Sequence, residues 1–205
     1  FDEEMRRMAQ VMIRRNIAFA AEMGATALVL HAGRVYRDSI VTRLLPNRFS
    51  TPMLEKNRIK RGRRMIDILK SELEQLVPEL EKNGVRLGLE NLPYPEGFPN
   101  LDEVGEVTGD WVRPWFDTGH WYAMECGKGD SSAVPLPLST ATCRPLGLHI
   151  NDSNGGDDHL APGDGKIDFA ALKPMMDSAE HLVLEPNPSV RSERLRAALE
   201  FLRGL

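Results

Sequence analysis

The stretch Leu146–Asp168, LGLHINDSNGGDDHLAPGDGKID, carries the reading of the fold. A short apolar run, Leu146-Gly147-Leu148, ends in His149, and a polar Gly/Asp loop follows before a helix signal at Asp168. The loop offers Asp152, Asp157, Asp158 and His159, all hard or borderline metal ligands. Four other apolar runs end in the same manner. Leu28-Val29-Leu30 runs into His31, Leu87-Gly88-Leu89 into Glu90, Trp115-Phe116 into Asp117, and Leu182-Val183-Leu184 into Glu185. Protic side chains repeated at strand ends predict one shared site.

The stretches between these runs read as helices. Met5, Met8, Met12, Ile13, Ile17 and Ala20 recur at helical spacing up to Gly24, and the Met-rich stripe is expected to be core packing. Residues 34–54 read as loop. A helix is expected from Glu55 to Asn83, with Ile59, Ile66, Leu69, Leu73, Leu76 and Leu80 on one face, kinked or divided at Pro78 and capped by Asn83-Gly84. Further expected elements are strand 85–89, a short helix 101–107, strand 111–116, a helix near Asp168, strand 181–184 and a last helix. Ser189 or Ser192 would cap that helix, with Leu195, Leu199 and Leu202 inward. The Pro/Ser/Thr-rich segment 131–145 replaces or shortens a helix.

Strands alternating with helices predict an α/β fold with a parallel sheet and helices outside. Side chains from many strand ends pointing to one centre favour a TIM (β/α)8-type barrel over an open sheet, which would bind at a single switch point. Only about five strands are visible, equivalent to strands four to eight, in one domain over residues 1–205. The expectation is that the first three strands precede Phe1 or that the barrel is completed in another way.

Composition narrows the function. With 205 residues, 41% of them hydrophobic, the chain can bury one core. A formal charge of −4 and a pI near 5.8 give no global attraction to nucleic acid or anionic membranes. There is no apolar run of membrane-spanning length and no signal-peptide pattern. Cys126 and Cys143 lie outside any CxxC spacing and are expected to be reduced, with a cytoplasmic location as the default. Neither GxGxxG nor GxxxxGK[ST] occurs, which favours the barrel over an open nucleotide-binding sheet. No organic cofactor is expected. Between Arg34 and Arg64 ten Lys/Arg face two acids, which reads as a solvated helix face plus loop or, more sharply, as a phosphate-binding lip; no phosphate-binding residue is assigned.

Glu90, Asp117, His149 and Glu185 are the first candidates for a site. Each closes an apolar strand, where an unpaired carboxylate would be expensive to bury, and a divalent cation would hold three carboxylates and an imidazole together. Asp117-x-x-His120 and Asp157-x-His159 add further possible ligands. His181 opens the last strand at the opposite end and reads as structural. Asp152–Gly163 fails as an EF-hand loop because it lacks the acid at position twelve and a ligand at position five. Gly163-Asp164-Gly165 reads as a tight turn.

The motifs LVLH, LGLEN, WFDTGH and LGLHINDS, the loop DDHLAPGDGKIDF and the terminal VLEP together resemble the xylose isomerase-like TIM barrels. That superfamily holds sugar and sugar-phosphate isomerases and epimerases and the zinc-dependent endonucleases of apurinic sites. In the isomerase branch, the resemblance implies that Glu90, Asp117, His149 and Glu185 bind one Mn, Mg, Co or Zn ion. Glu90 and Glu185 would also move a proton between adjacent carbons of a carbohydrate, and His120 would contact that substrate. In the endonuclease branch, the same residues with His31, His120, Asp157 and His159 imply a three-zinc cluster acting on nucleic acid. The acidic charge and Glu90-Asn91-Leu92-Pro93 favour the isomerase; the complete ligand set and the basic segment favour the nuclease. A non-catalytic metal-binding or interaction protein is the third reading. No membrane partner is expected, and a homo-oligomer is compatible with all three.

Overall fold

The computed structural model describes residues 3–35, 47–94, 96–126 and 144–205. Five parallel strands form a curled half-barrel: β1 (Ala27–Leu30), β3 (Arg86–Glu90), β5 (Val112–Asp117), β6 (Gly147–Ile150) and β7 (His181–Leu184), neighbours in that order. Two short antiparallel strands, β2 (Gly33–Arg34) and β4 (Gly97–Phe98), pair beyond the carboxyl ends of β1 and β3. The helices are α1 (Glu3–Glu22), α2 (Asn47–Glu74), α3 (Val77–Asn83), α4 (Leu101–Val104), α5 (Thr118–Cys126), α6 (Phe169–Ser178) and α7 (Ser192–Arg203). None of the described helices is long and apolar enough to cross a membrane.

All five strands lie where the apolar runs place them. Their register sets the site, because Glu90 pairs with Trp115 and Asp117 with His149, bringing the strand ends into one row. The central strands are buried, with Leu87, Leu89, Phe116 and Leu148 at the core. The outer strands are less covered. Every residue of β1 is partly exposed, and Leu182 and Val183 of β7 are 51% and 41% exposed. Among the described residues each outer strand has one sheet neighbour.

Several sequence expectations need correction. The long helix begins at Asn47, within the stretch read as loop. Its division at Pro78 is as expected: the first part ends at Glu74, and Pro78 lies in the first turn of α3, where its missing N–H costs nothing. The Met-rich stripe is not core: Met5, Met8 and Met12 are 63%, 55% and 61% exposed. α1 packs on β1 and α3 through Ile13, Ile17, Ala20 and Ala21, a stripe rotated from the methionines. Ile59 is likewise exposed, although it keeps helical phase with Ile66 and Leu73. The last helix starts from Arg191, with no side-chain cap from Ser189 or Ser192, and buries Ala198 while leaving Leu199 39% exposed. Residues 131–143, including Cys143, lie outside the described residues, as does the loop half of the basic segment.

At the amino ends of the strands, Glu180 receives Arg86 from β3 through both guanidinium nitrogens and Arg113 from β5 at 2.9 Å. Arg113 also donates to the Arg144 carbonyl from two nitrogens. The hydrogen bond from Arg86, with the charges of both arginines, holds the Glu180 carboxyl down at about 2.

Candidate metal centre

Glu90 and Asp117 close β3 and β5, His149 is the penultimate residue of β6, and Glu185 follows β7. The structure brings one ligand atom from each to within 4.8 Å of the others. His149 Nδ1 lies 3.1 Å from Glu90 Oε1, 2.9 Å from Glu185 Oε2 and 3.9 Å from Asp117 Oδ2. Yet Glu185 Oε2, buried, takes no hydrogen bond: the approach of His149 lacks the alignment of one. A buried carboxylate oxygen without a donor beside two further carboxylates and an imidazole is the environment a divalent cation satisfies. These four residues fit such an ion.

The electrostatics agree. Burial pushes the Glu90 carboxyl up, but hydrogen bonds and charge from His149 and His31 outweigh it and hold the group at about 2. Asp117 goes the other way, to about 6, because burial and the nearby Glu90 charge exceed the help from His120 and His159. His31 is raised chiefly by its 2.8 Å hydrogen bond to Glu90 Oε2. His149 is raised too: burial lowers it, but Glu90, Glu185 and Asp117 prevail.

A second group, Asp117, His120 and His159, lies beside the first. His120 Nδ1 donates to the Asn91 carbonyl and His159 Nδ1 to the Glu185 carbonyl, each at 2.8 Å. Both Nε2 atoms are thereby left as acceptors, facing each other at 3.2 Å. Two lone pairs at that distance need a proton or a cation between them. The raised pKa of His159, which the Glu185 carbonyl and the charge of Asp117 sustain against burial, is the proton's version of that answer.

Residues that the strand-end pattern does not single out hold these groups in place. Asn91 continues the ladder between β3 and β5 with its side chain, accepting from the Asp117 N–H and donating to the Asp117 carbonyl. Asn151 donates to Asp117 Oδ2 at 2.9 Å and accepts from the His159 N–H. Gly119 of the DTGH motif makes room for it, since a Cβ there would sit 1.8 Å from Asn151 Oδ1. Asp152, nominated as a possible ligand, has another task. Its buried carboxylate accepts from the N–H groups of Ser153, Gly163, Gly165 and Ile167, leaving no free direction for a metal. The turn Gly163-Asp164-Gly165 is the tight turn expected, tied to α7 by Arg194 on Asp164.

Asp157 is exposed, and its carboxylate faces Asn154 rather than either group; Asp158 comes nearer, 4.0 Å from His120 Nε2. Among the described residues, the hydrogen bond of His31 goes to Glu90 Oε2. Of the basic segment, Arg58 pairs with Glu103 and Arg63 with Glu106, so these charges serve helix packing.

Over residues 1–205 the chain matches the family model described as xylose isomerase-like TIM barrel. It belongs to that family. An uncharacterized protein of Methanocaldococcus jannaschii, MJ1311, is 24% identical over 208 residues, 97% of this chain; the chain spans 61% of that relative's length. Among solved structures, a D-tagatose 3-epimerase-like protein superposes with a TM-score of 0.66 at 21% identity, over 100% of this chain and 73% of its own. The IolI protein with a bound zinc atom superposes with a TM-score of 0.60 at 18% identity, over 100% and 69%. At these identities the two structures share the fold with this chain.

Proposed function

We propose that this chain carries the metal site of a sugar, or sugar-phosphate, isomerase or epimerase, with Glu90, Asp117, His149 and Glu185 holding one Mn, Mg, Co or Zn ion. The observation that carries the reading is the buried, undonated Glu185 Oε2 within reach of three other ligands. The bound-zinc neighbour and the epimerase-like neighbour support it. A divalent ion bound there would polarise a carbonyl and the adjacent hydroxyl. The chain's own residues do the rest. Glu90 and Glu185 both reach His149 Nδ1, from strands on either side of β6 in the sheet order, and one carboxylate takes the proton from a carbon next to the carbonyl while a carboxyl group on the other returns one. Asn91 and Asn151 fix Asp117 so that its carboxylate does not turn away when substrate enters.

The test is interconversion of ketose epimers and aldose–ketose pairs by protein loaded with each of the four metals. Glu185→Gln should lower turnover by at least about a thousandfold with the fold retained; unchanged interconversion by that variant would sink the assignment. A second reading, phosphodiester hydrolysis on a multi-zinc cluster, draws on the facing His120 and His159 rings. Metal content separates the two. About one ion per chain supports the isomerase or epimerase, and two or three zinc ions with cleavage of abasic duplex DNA support hydrolysis.

A further inference from the structure

Beneath the carboxylate cluster lies a residue that neither reading uses. Trp115 stands on β5 two positions before Asp117, so both side chains leave the strand on the same face. The indole is 4% exposed, and the neighbouring strands yield space to it. A Cβ on Gly88 of β3 would come within 2.7 Å of its ring, and one on Gly147 of β6 within 2.4 Å. Two adjacent strands thus carry no side chain where this ring lies. The ring contacts two imidazoles. His149 meets it edge-on at 5.2 Å and 69°, and His181 stacks against it at 6.0 Å and 21°. Among the described residues, neither Trp115 Nε1 nor His181 Nε2 has a hydrogen-bond partner, although both atoms are buried. The indole therefore sits there for its shape and aromatic face, not for its N–H.

We infer that Trp115 is a positioning residue for the metal centre: its ring, admitted by Gly88 and Gly147, sets the tilt of His149 so that Nδ1 faces Glu90 and Glu185. The inference rests on the metal-site reading above. His149 donates to no backbone carbonyl and has no polar group bracing its ring from behind among the described residues, in contrast to His120 and His159, which are each fixed through Nδ1. The aromatic contact takes the place of that brace, and loss of the groups that orient a ligand typically weakens metal binding about 10- to 100-fold.

The experiment titrates Co²⁺ alone into metal-free wild-type protein and into Trp115→Phe and Trp115→Leu, recording affinity and the visible absorption of the bound ion. Trp115→Phe keeps an aromatic face toward His149 and should bind Co²⁺ within about threefold of wild type with the same spectrum. Trp115→Leu should bind about tenfold more weakly, with a shifted or weakened visible band. Both variants remove buried volume, so a merely structural role would lower thermal stability in each without separating their spectra. Equal affinity and spectrum in wild type and Trp115→Leu would overturn the inference, as would equal losses in the two variants. If wild-type protein takes up no Co²⁺, the metal-site reading falls and this inference with it. Gly147→Ala offers an independent check: it pushes the ring toward its neighbours and should weaken Co²⁺ binding without touching any ligand.

Discussion

At the amino ends of the strands one carboxylate, Glu180, meets the guanidinium groups of Arg86 and Arg113, whereas at the carboxyl ends Glu90, Asp117 and Glu185 crowd around the ring of His149, with His31 and His120 beside them. The first arrangement is neutralised by charges that never titrate, at a half-exposed position, and belongs to stability. The second is short of positive charge, mostly buried, and leaves Asp117 protonated to about 6 while Glu90 stays ionised to about 2. One sheet thus carries a closed electrostatic account at one end and an open one at the other, as the division of labour in barrel folds requires.

The largest effect should come from closing the open account with a cation. Zinc at about a thousand times its dissociation constant should stabilise the protein by about 4 kcal/mol, seen as a rise in Tm that chelation reverses. No change in Tm with zinc would remove the contrast between the two ends. Next in size is Gly119→Ala, whose methyl group would collide with Asn151. A loss of about 3 kcal/mol in urea unfolding is expected, together with weaker metal binding, because Asn151 holds Asp117.

The pH dependence of the metal-free protein sharpens the comparison further. Glu90, depressed from 4.5, adds stability that is present above 4.5 and lost as pH falls toward 2. Asp117, raised from 3.8, acts in reverse: the folded protein keeps a proton that the unfolded chain has lost, and stability falls between about pH 4 and 6 by up to about 3 kcal/mol. The raised histidines His31, His149 and His159 contribute stability that is complete below 6.5 and lost as pH rises through their folded values. Metal-free Tm should therefore peak in mildly acid solution and decline toward pH 8, and zinc should move the optimum upward because its ligands must be deprotonated. A metal-free Tm that rises from pH 5 to 8 would contradict this assignment of protons. The smallest effect is reserved for the closed end. Glu180→Gln should cost up to about 1 kcal/mol, given its exposure, and leave metal affinity unchanged.

The strand ends were legible in the sequence because a buried apolar run that stops on a His or carboxylate is a local pattern, and parallel pairing converts five local patterns into one site. Fold and four-residue cluster follow from that alone. The loop after β6 was not legible in the same way. Asp152, Asp157 and Asp158 are chemically equivalent on paper, and only the path of the chain turns the first inward to four amides, the second out to Asn154 and the third toward His120. The methionines of α1 failed for a related reason: helical spacing identifies a stripe but not which stripe meets the sheet. Trp115 left a trace that spacing arguments overlook, namely a glycine in each flanking strand where an added Cβ would meet its ring, Gly147 in register with it and Gly88 two positions before its partner Glu90.

The four amide bonds on Asp152 give the loop a time scale. The N–H groups of Ser153, Gly163, Gly165 and Ile167 belong to no helix or sheet ladder, yet they share one buried acceptor and open only if it is uncovered. In deuterium exchange they should behave as a cooperative unit with protection like that of the strands, while Gly156 at the tip, bonded only to an exposed Asn154, exchanges at once. Residues 154–158 are then the part of the loop where insertions and new sequence can be accepted, and the span from Gly163 to Ile167 is a hinge-free frame that holds the rest in register with the sheet.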